Sequence, residues 1–372
     1  MKILKYTLFL MLCSVVVMAS PDRKKGDEVR MPYTNGPVYA LPATGVRVYV
    51  EATYDEFIPG PYQAYANDLL NIPNAQATAS ATWSISSVRF ASYATVDANE
   101  YHQVKSETMS AISVNELGVI KGVNGVFSNM KTMLPLVQND YMPFEVTAYP
   151  WNDLSVQEFV EVNDSIPEEW KTISEKRKAY DAAHTITKLR KRRFHTMASV
   201  YETTPPDGKA YEVVAAQLDK LEKAYTALFI GKHVKRTRTF VFDVVPSETP
   251  TIAFRFDKRK GVVPTSDLSG KPIMINVTID NKAKAALQKQ EGAGAISPDG
   301  IYYRVPCLTH VSLMDGTKVL AGTQLLMAQY GVRFPMASNH CQSDRKYKIA
   351  YDQETGAINS IQLVDPRRVV ED

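Results

Sequence analysis

Two cysteines near the C-terminal end lie beside histidines, a combination that can serve redox chemistry or bind metal. Cys307 precedes His310 by three residues, and Cys341 directly follows His340. A zinc site would need all four donors to converge within about 2.0–2.3 Å of the ion. The alternating pattern of residues 302–313 places Cys307 on the apolar face of a strand and His310 on the opposite face. We therefore predict a structural disulfide between Cys307 and Cys341 rather than a metal centre, because an even cysteine pair in an oxidising compartment normally pairs.

A run of basic residues is the strongest local charge feature of the chain. Between residues 168 and 193 there are nine basic and four acidic side chains. The basic residues at the end of this run are Lys188, Arg190, Lys191, Arg192 and Arg193. Lys188, Arg190, Lys191 and Arg192 could contact an anionic polymer, a lipid headgroup or an acidic partner. The alternative, which is the more usual for charged helix faces, is a solvated surface in which Arg193 pairs with Asp219 or Glu222.

The usual sequence signatures of catalysis are missing. The chain has no nucleophile-elbow pattern, no serine–lysine signature and no phosphate-binding glycine loop. Paired carboxylates of a glycoside hydrolase cannot be recognised from spacing, because the fold sets their separation. Trp83, Trp151 and Trp170 could stack on sugars, although strand aromatics more often pack in sheets. The sequence thus identifies no catalytic residue and no cofactor, and it favours a protein that is not an enzyme.

The N terminus indicates export. Lys2 and Lys5 precede an apolar run that closes at Ala19 with small residues suited to cleavage. We predict a signal peptide over 1–19, too short for a membrane span, and no transmembrane segment after its removal. Cys13 lies inside this run, so lipid attachment there is a less favoured alternative. The expected location is the periplasm or the outer membrane.

Composition is that of a folded protein with little net charge. Hydrophobic residues make up 45% and charged residues 22% of the 372 residues, and the formal net charge is +3. Removal of Lys2 and Lys5 with the signal peptide lowers that charge to +1. Such a charge gives no general case for nucleic-acid binding, which normally requires a basic domain.

The periodicity of apolar residues predicts the elements that position these groups. After a mobile lead-in at 20–36, we expect a β-rich domain with one short helix over 37–160. A helical hairpin follows over 165–232, and an antiparallel β domain occupies 236–372. The predicted class is therefore α+β, with two antiparallel β-rich regions, sandwich- or barrel-like, separated by an antiparallel helical hairpin.

Several local signals define the predicted helices. Ser165 and Glu168 form a capping-box pattern at the start of the first hairpin helix. Gly231 stands where a glycine would end the second. Residues 282–299, rich in glycine near their end, are predicted to form a loop with about one helical turn.

Short motifs in a fixed order resemble a bacterial domain-of-unknown-function family, number 4831, found in exported proteins. The matching motifs are Pro59-Gly60-Pro61-Tyr62, Tyr65-Ala66, Ile186, Leu189-Arg190, Arg193-Phe194, Pro206-Asp207-Gly208, Leu228-Phe229-Ile230-Gly231-Lys232, Gly300-Ile301-Tyr302-Tyr303-Arg304-Val305-Pro306, Gln329-Tyr330-Gly331 and Glu354-Thr355-Gly356. They cover most of residues 38–363. Where the family pattern usually has an acid after Leu189-Arg190, this chain has Lys191-Arg192. The resemblance implies an exported envelope protein of Gram-negative bacteria and no particular activity.

These features together predict an exported envelope protein that binds a protein partner or contributes to an assembly. The alternatives are a hydrolase or a glycan-binding module acting on envelope or dietary polysaccharide. The oligomeric state does not follow from the sequence.

Overall fold

The computed structural model describes residues 36–104, 112–128, 137–144, 151, 174–198, 208–291, 301–336 and 347–363. The predicted signal peptide and nearly all of the predicted lead-in are outside these ranges, as are Cys341, His340 and the predicted Ser165–Glu168 capping box. The strands are β1 Val38–Ile58, β2 Ser80–Gln103, β3 Ile112–Val114, β4 Ile120–Val123, β5 Lys232–Val244, β6 Thr251–Asp257, β7 Gly261–Val263, β8 Lys271–Ile279, β9 Tyr302–Asp315, β10 Lys318–Pro335, β11 Tyr347–Tyr351 and β12 Ile358–Leu363. The helices are α1 Ala66–Leu70, which follows a 3-10 turn at Gln63–Tyr65, α2 Glu175–Met197, α3 Gly208–Ile230 and α4 Asn281–Glu291.

The strands form three antiparallel sheets, which confirms the α+β class and its β-rich layout. Their orders are β2-β1-β5, β10-β9-β8-β6-β7 and β12-β11-β4-β3. Two of these sheets combine segments from before and after the helical hairpin, since β5 pairs with β1 and β11 pairs with β4. The predicted division between residues 37–160 and 236–372 therefore does not follow the hydrogen-bonded sheets.

The main core lies between the first two sheets. Val46, Val48 and Val50 of β1 are fully buried. Arg47 is buried as well, and the residues after it that alternate with these valines are partly buried, as the two-residue period predicts. They belong to one hydrophobic cluster with Phe240 of β5 and Phe254 of β6. Each such side chain contributes about 1.5–3 kcal/mol through its removal from water. This burial fixes the register of the long β1 and β2 strands.

The helical hairpin, α2 and α3, is anchored at its base on the turn before α1. The Tyr62 backbone N–H donates to the Leu228 carbonyl over 2.8 Å. A Cβ built on Gly60 would lie 2.2 Å from the same carbonyl oxygen, so only glycine permits this approach. Gly231 ends α3 with φ +77, as predicted.

Two helix boundaries differ from the predictions. α2 begins at Glu175, because Ser174 caps it by accepting a hydrogen bond from the Arg177 N–H over 3.3 Å. Residues 281–291 form helix α4 rather than a loop with one turn. Its start is fixed by Asp280, whose carboxylate accepts hydrogen bonds from the N–H groups of Lys282 and Ala283. Over the ranges given above, no helix is both long enough and apolar enough to cross a bilayer.

Candidate functional site

The basic residues of α2 are divided between two faces of the helix. Arg190 and Arg193 face α3, where Arg190 Nε lies 2.9 Å from a carboxylate oxygen of Glu222. Arg193 Nη1 lies 2.9 Å from Asp219 and 2.8 Å from Glu222. The predicted pairing of Arg193 with an acid of the second helix is therefore confirmed. We call these four residues the hairpin ion cluster.

The hairpin ion cluster is balanced in charge. It holds two guanidinium groups and two carboxylates, and the hydrogen bond to Asp219 raises the pKa of Arg193. Arg190, one of the four residues predicted to contact an anionic partner, therefore pairs with an acid of α3 within the hairpin. Its charge is neutralised by α3.

Lys188, Lys191 and Arg192 lie on the opposite, solvent-facing side of α2. All three side chains are exposed, and none forms an ion pair with another described residue. No acidic residue occurs between positions 184 and 196, so none is within a helical turn of them. Lys188 and Arg192 stand four residues apart, where like charges destabilise a helix. This face therefore concentrates positive charge at a cost to helix stability.

The exposed cations extend a longer row along α2. We define the outer stripe as Arg177, Tyr180, His184, Lys188, Lys191 and His195, with Arg192 beside it. These residues recur every three or four positions and span about 27 Å at 1.5 Å per residue. Tyr180 stacks on His184 with ring centroids 6.5 Å apart, and the Arg177 guanidinium lies 5.6 Å from the Tyr180 ring. Arg177 also pairs with Asp181 at 3.2 Å.

A cleft of about 420 Å³ follows the groove between α2 and α3. The hairpin ion cluster lines it together with Ile230 and other residues of α3. Asp219 and Glu222 are the carboxylate pair in this cleft that a glycoside hydrolase would require. Both carboxylates form ion pairs with Arg190 or Arg193.

A second cluster of charges lies where β2 meets β9 and β10. The buried Arg304 guanidinium is 2.8 Å from the Pro42 carbonyl oxygen and 3.0 Å from an Asp97 carboxylate oxygen. Its other terminal nitrogen lies 3.4 Å from Glu100. Glu100 also accepts a hydrogen bond from Arg333 over 3.1 Å and contacts His102 Nε2 at 3.1 Å. We call Asp97, Glu100, His102, Arg304 and Arg333 the sheet ion cluster.

The environment of Glu100 keeps its carboxylate ionised. Burial alone would raise the pKa of Glu100, but the hydrogen bond with His102 and the charges of Arg333 and Arg304 lower it overall. His102 is also held between the rings of Tyr39 and Tyr302, at centroid distances of 5.5 and 5.0 Å. Such a cluster joins β2 to β9 and β10 through buried charges.

The structure describes only one of the two cysteines of the predicted disulfide. Cys307 is buried, its Sγ lies 3.6 Å from the Leu308 carbonyl oxygen, and burial raises the pKa of its thiol. His310 is exposed on the opposite face of β9, as the strand pattern predicts. Because Cys341 and His340 lie outside the described residues, the pairing of Cys307 stays a prediction.

The aromatic residues do not form an open platform on the described strands. Trp83 is buried and stacks on Phe144 with ring centroids 5.3 Å apart. Trp151 is half-buried, and the Lys232 ammonium lies 4.9 Å from its ring centroid. Trp170 is outside the described ranges. Of the exposed aromatic side chains that the structure describes, only Tyr101 lies in a strand.

Comparison with known proteins agrees with the motif order. The family model described as domain of unknown function DUF4831 matches residues 35–359. No curated protein and no solved structure matches the chain. Because the match extends over most of the sequence and over all three sheets, the chain belongs to the DUF4831 family.

Proposed function

We propose that this protein is an exported, non-enzymatic component of the cell envelope. In this proposal it binds a partner or contributes to an assembly in the periplasm or at the outer membrane. The β-rich body holds the helical hairpin in place, and the hairpin provides the contact surface. The signal-peptide pattern at residues 1–19 supports export.

The distribution of charge on the hairpin is the observation that carries this proposal. Helix α2 contains eight lysines and arginines but only two acidic residues, a net charge of +6. The whole chain has a net charge of +3, so everything outside α2 sums to −3. Solubility alone does not require this separation, because mixed charges on a helix face would provide solubility and favourable ion pairs as well.

The shape of the hairpin supports the same proposal. Its base is buried against the α1 region through Ala179, Ala182, Ile186 and Phe229. Farther along, Phe194 and Met197 are 65% and 66% exposed at the end of α2, where they line a cavity with Arg190 and Arg193. Apolar side chains exposed beside a charged surface are a common feature of contact sites.

Cross-linking in the native envelope tests this proposal. A tagged protein would be compared with the variant Lys188→Glu, Lys191→Glu, Arg192→Glu. The matched control is Lys258→Glu, Lys271→Glu, Lys318→Glu, which makes the same change of charge at exposed positions of the β body. We expect one dominant cross-linked species that is lost in the α2 variant and kept in the control. Equal recovery from both variants would show that α2 is not the contact surface.

A further inference from the structure

We infer that the outer stripe of α2 binds the surface of an anionic lipid bilayer. This inference rests on the proposed function, because it specifies the chemistry of the partner that the hairpin contacts. It concerns Lys188, Lys191 and Arg192 in particular, together with Phe194 at the end of the helix.

The first argument is that most side chains of the outer stripe are exposed, while the described packing contacts of α2 lie on its other side. Ala179, Ala182, Ala183 and Ile186 are buried on the opposite side, against α3 and the α1 region. Arg190 and Arg193 are turned toward Glu222 and are neutralised there. Arg177, Lys188, Lys191 and Arg192 remain on this side of α2, along an outer stripe about 27 Å long. A flat anionic surface can meet all of them at once.

The second argument concerns the side chains that the stripe lacks. A helix that docks into a groove of another protein presents apolar anchors at positions i, i+3 or i+4, and i+7. The outer stripe instead presents Lys188 and Lys191, with Arg192 beside them and Tyr180 as its aromatic member. Clusters of lysine and arginine on a helix surface are attracted to anionic headgroups by charge, without apolar anchors. This composition favours a lipid surface over an acidic protein.

The third argument is the position of the exposed apolar residues. Phe194 and Met197 lie in the last turn of α2 and line a small cavity with Arg190 and Arg193. Phe194, which follows Lys191 by three residues and is 65% exposed, is the nearer of the two to the outer stripe. Aromatic rings are well suited to the boundary between headgroups and acyl chains. The same end of the helix therefore offers cations for headgroups and an apolar group for shallow insertion.

Vesicle co-sedimentation with the purified full-length protein tests the inference. Vesicles of pure phosphatidylcholine would be compared with vesicles that contain about 30% phosphatidylglycerol, at low and at physiological ionic strength. One lysine or arginine near an anionic surface changes partitioning about fivefold. We therefore expect removal of three such positive charges to weaken binding to the anionic vesicles about a hundredfold. Added salt should weaken binding of the unchanged protein as well, because it screens exposed charges.

Two variants separate loss of binding from loss of folding. Lys188→Gln, Lys191→Gln, Arg192→Gln removes the charge while keeping good helix formers, and the glutamate triple variant reverses it. Both should retain the circular dichroism of the unchanged protein and lose vesicle binding. The β-body control Lys258→Glu, Lys271→Glu, Lys318→Glu should bind anionic vesicles normally.

The outcomes distinguish this inference from the proposed function. Equal binding of the unchanged protein to neutral and anionic vesicles would overturn the lipid inference, as would equal binding of the α2 and control variants. If vesicle binding is absent while a protein cross-link depends on Lys188, Lys191 and Arg192, the partner is an acidic protein. The proposed function then stands and the lipid inference is wrong. If neither vesicles nor a cross-linked partner depend on these residues, both are wrong.

Discussion

The sheet ion cluster and the hairpin ion cluster use the same chemical groups in different surroundings. In the sheets, the Arg304 side chain is 4% exposed and pairs with Asp97, which is 13% exposed. In the hairpin, the Arg193 side chain is 41% exposed and pairs with Asp219, which is 50% exposed. The two clusters therefore contain similar ion pairs that differ in burial, and we expect that burial determines what each contributes to stability.

Because the sheet ion cluster is largely buried, removal of one of its buried members should cost much free energy of unfolding. A charge removed from water depends on its partner, so loss of one partner leaves an uncompensated buried charge. When an exposed ion pair separates, water solvates both charges, so little free energy is lost. The sheet ion cluster is therefore suited to joining β2 with β9 and β10, whereas the hairpin surface can be remodelled by binding.

Replacement of Arg304 should have the largest effect on stability. Arg304→Met would leave Asp97 and Glu100 without their buried cation, and we expect a loss of about 3–5 kcal/mol in the free energy of unfolding. Urea denaturation would measure it. Arg333→Met is the control, because that side chain is 50% exposed and also contacts Glu100. Its loss should be within about 1 kcal/mol. Equal losses in the two variants would contradict the role assigned to burial.

Gly60→Ala should have the next largest effect, and a local one. The added methyl group would meet the Leu228 carbonyl oxygen, so the base of the hairpin must shift. Such overpacking costs about 1–3 kcal/mol. Hydrogen exchange should show faster exchange of the α3 amides near Leu228 with little change in β1 and β9. Uniform acceleration throughout the sheets would mean that the hairpin and the body unfold as one unit.

The pKa of Glu100 predicts how acid affects the sheet ion cluster. Because the folded-state pKa of Glu100 lies below the ordinary value of 4.5, its ionised form stabilises the fold above about pH 4.5. That contribution is lost as the pH falls from there through the lower folded-state value. Glu100→Gln should therefore be less stable at neutral pH, and the difference should shrink on acidification. A constant difference between pH 7 and pH 3 would exclude this linkage.

The sequence predicted the hairpin and its cations better than it predicted the sheet ion cluster. Helical spacing alone places Arg193 toward α3 and Lys188 toward solvent, because both positions follow from the 3.6-residue period. Asp97, Glu100 and Arg304 lie on strands about 200 residues apart in the chain. Spacing along the sequence cannot reveal such a meeting, because it depends on how the sheets associate.

The same difference explains the corrections to the fold. Helix α2 is capped by Ser174, while the predicted capping box of Ser165 and Glu168 lies outside the described residues. The pairing of β5 with β1 across the hairpin is a long-range choice set by burial of Val46, Val48 and Phe240. For α4, an available signal was missed: Asp280 precedes a run rich in alanine and lysine, which favours a capped helix.

The hairpin ion cluster should show weak coupling between its members. A double-mutant cycle with Arg190→Ala and Glu222→Gln should give a coupling energy of about 0.2–1 kcal/mol, because the Arg190 side chain is nearly half exposed. Thermal unfolding of the four proteins would supply the values. A coupling energy as large as the loss in Arg304→Met would place the two clusters in the same class and remove the distinction drawn between them.

Lys188→Glu should have the smallest effect on stability. It should raise the stability slightly while it weakens binding. A glutamate at 188 would stand four residues before Arg192, the favourable order for a helical ion pair, and it would also remove a like-charge contact. We expect a gain of about 0.2–0.5 kcal/mol in the free energy of unfolding. Binding to anionic vesicles should weaken at the same time. A more stable protein that binds less would mean that the charge of the outer stripe is kept for contact at the expense of the helix. A less stable protein with unchanged binding would mean that Lys188 serves the hairpin itself, and the outer stripe would then be a solvated face like many others.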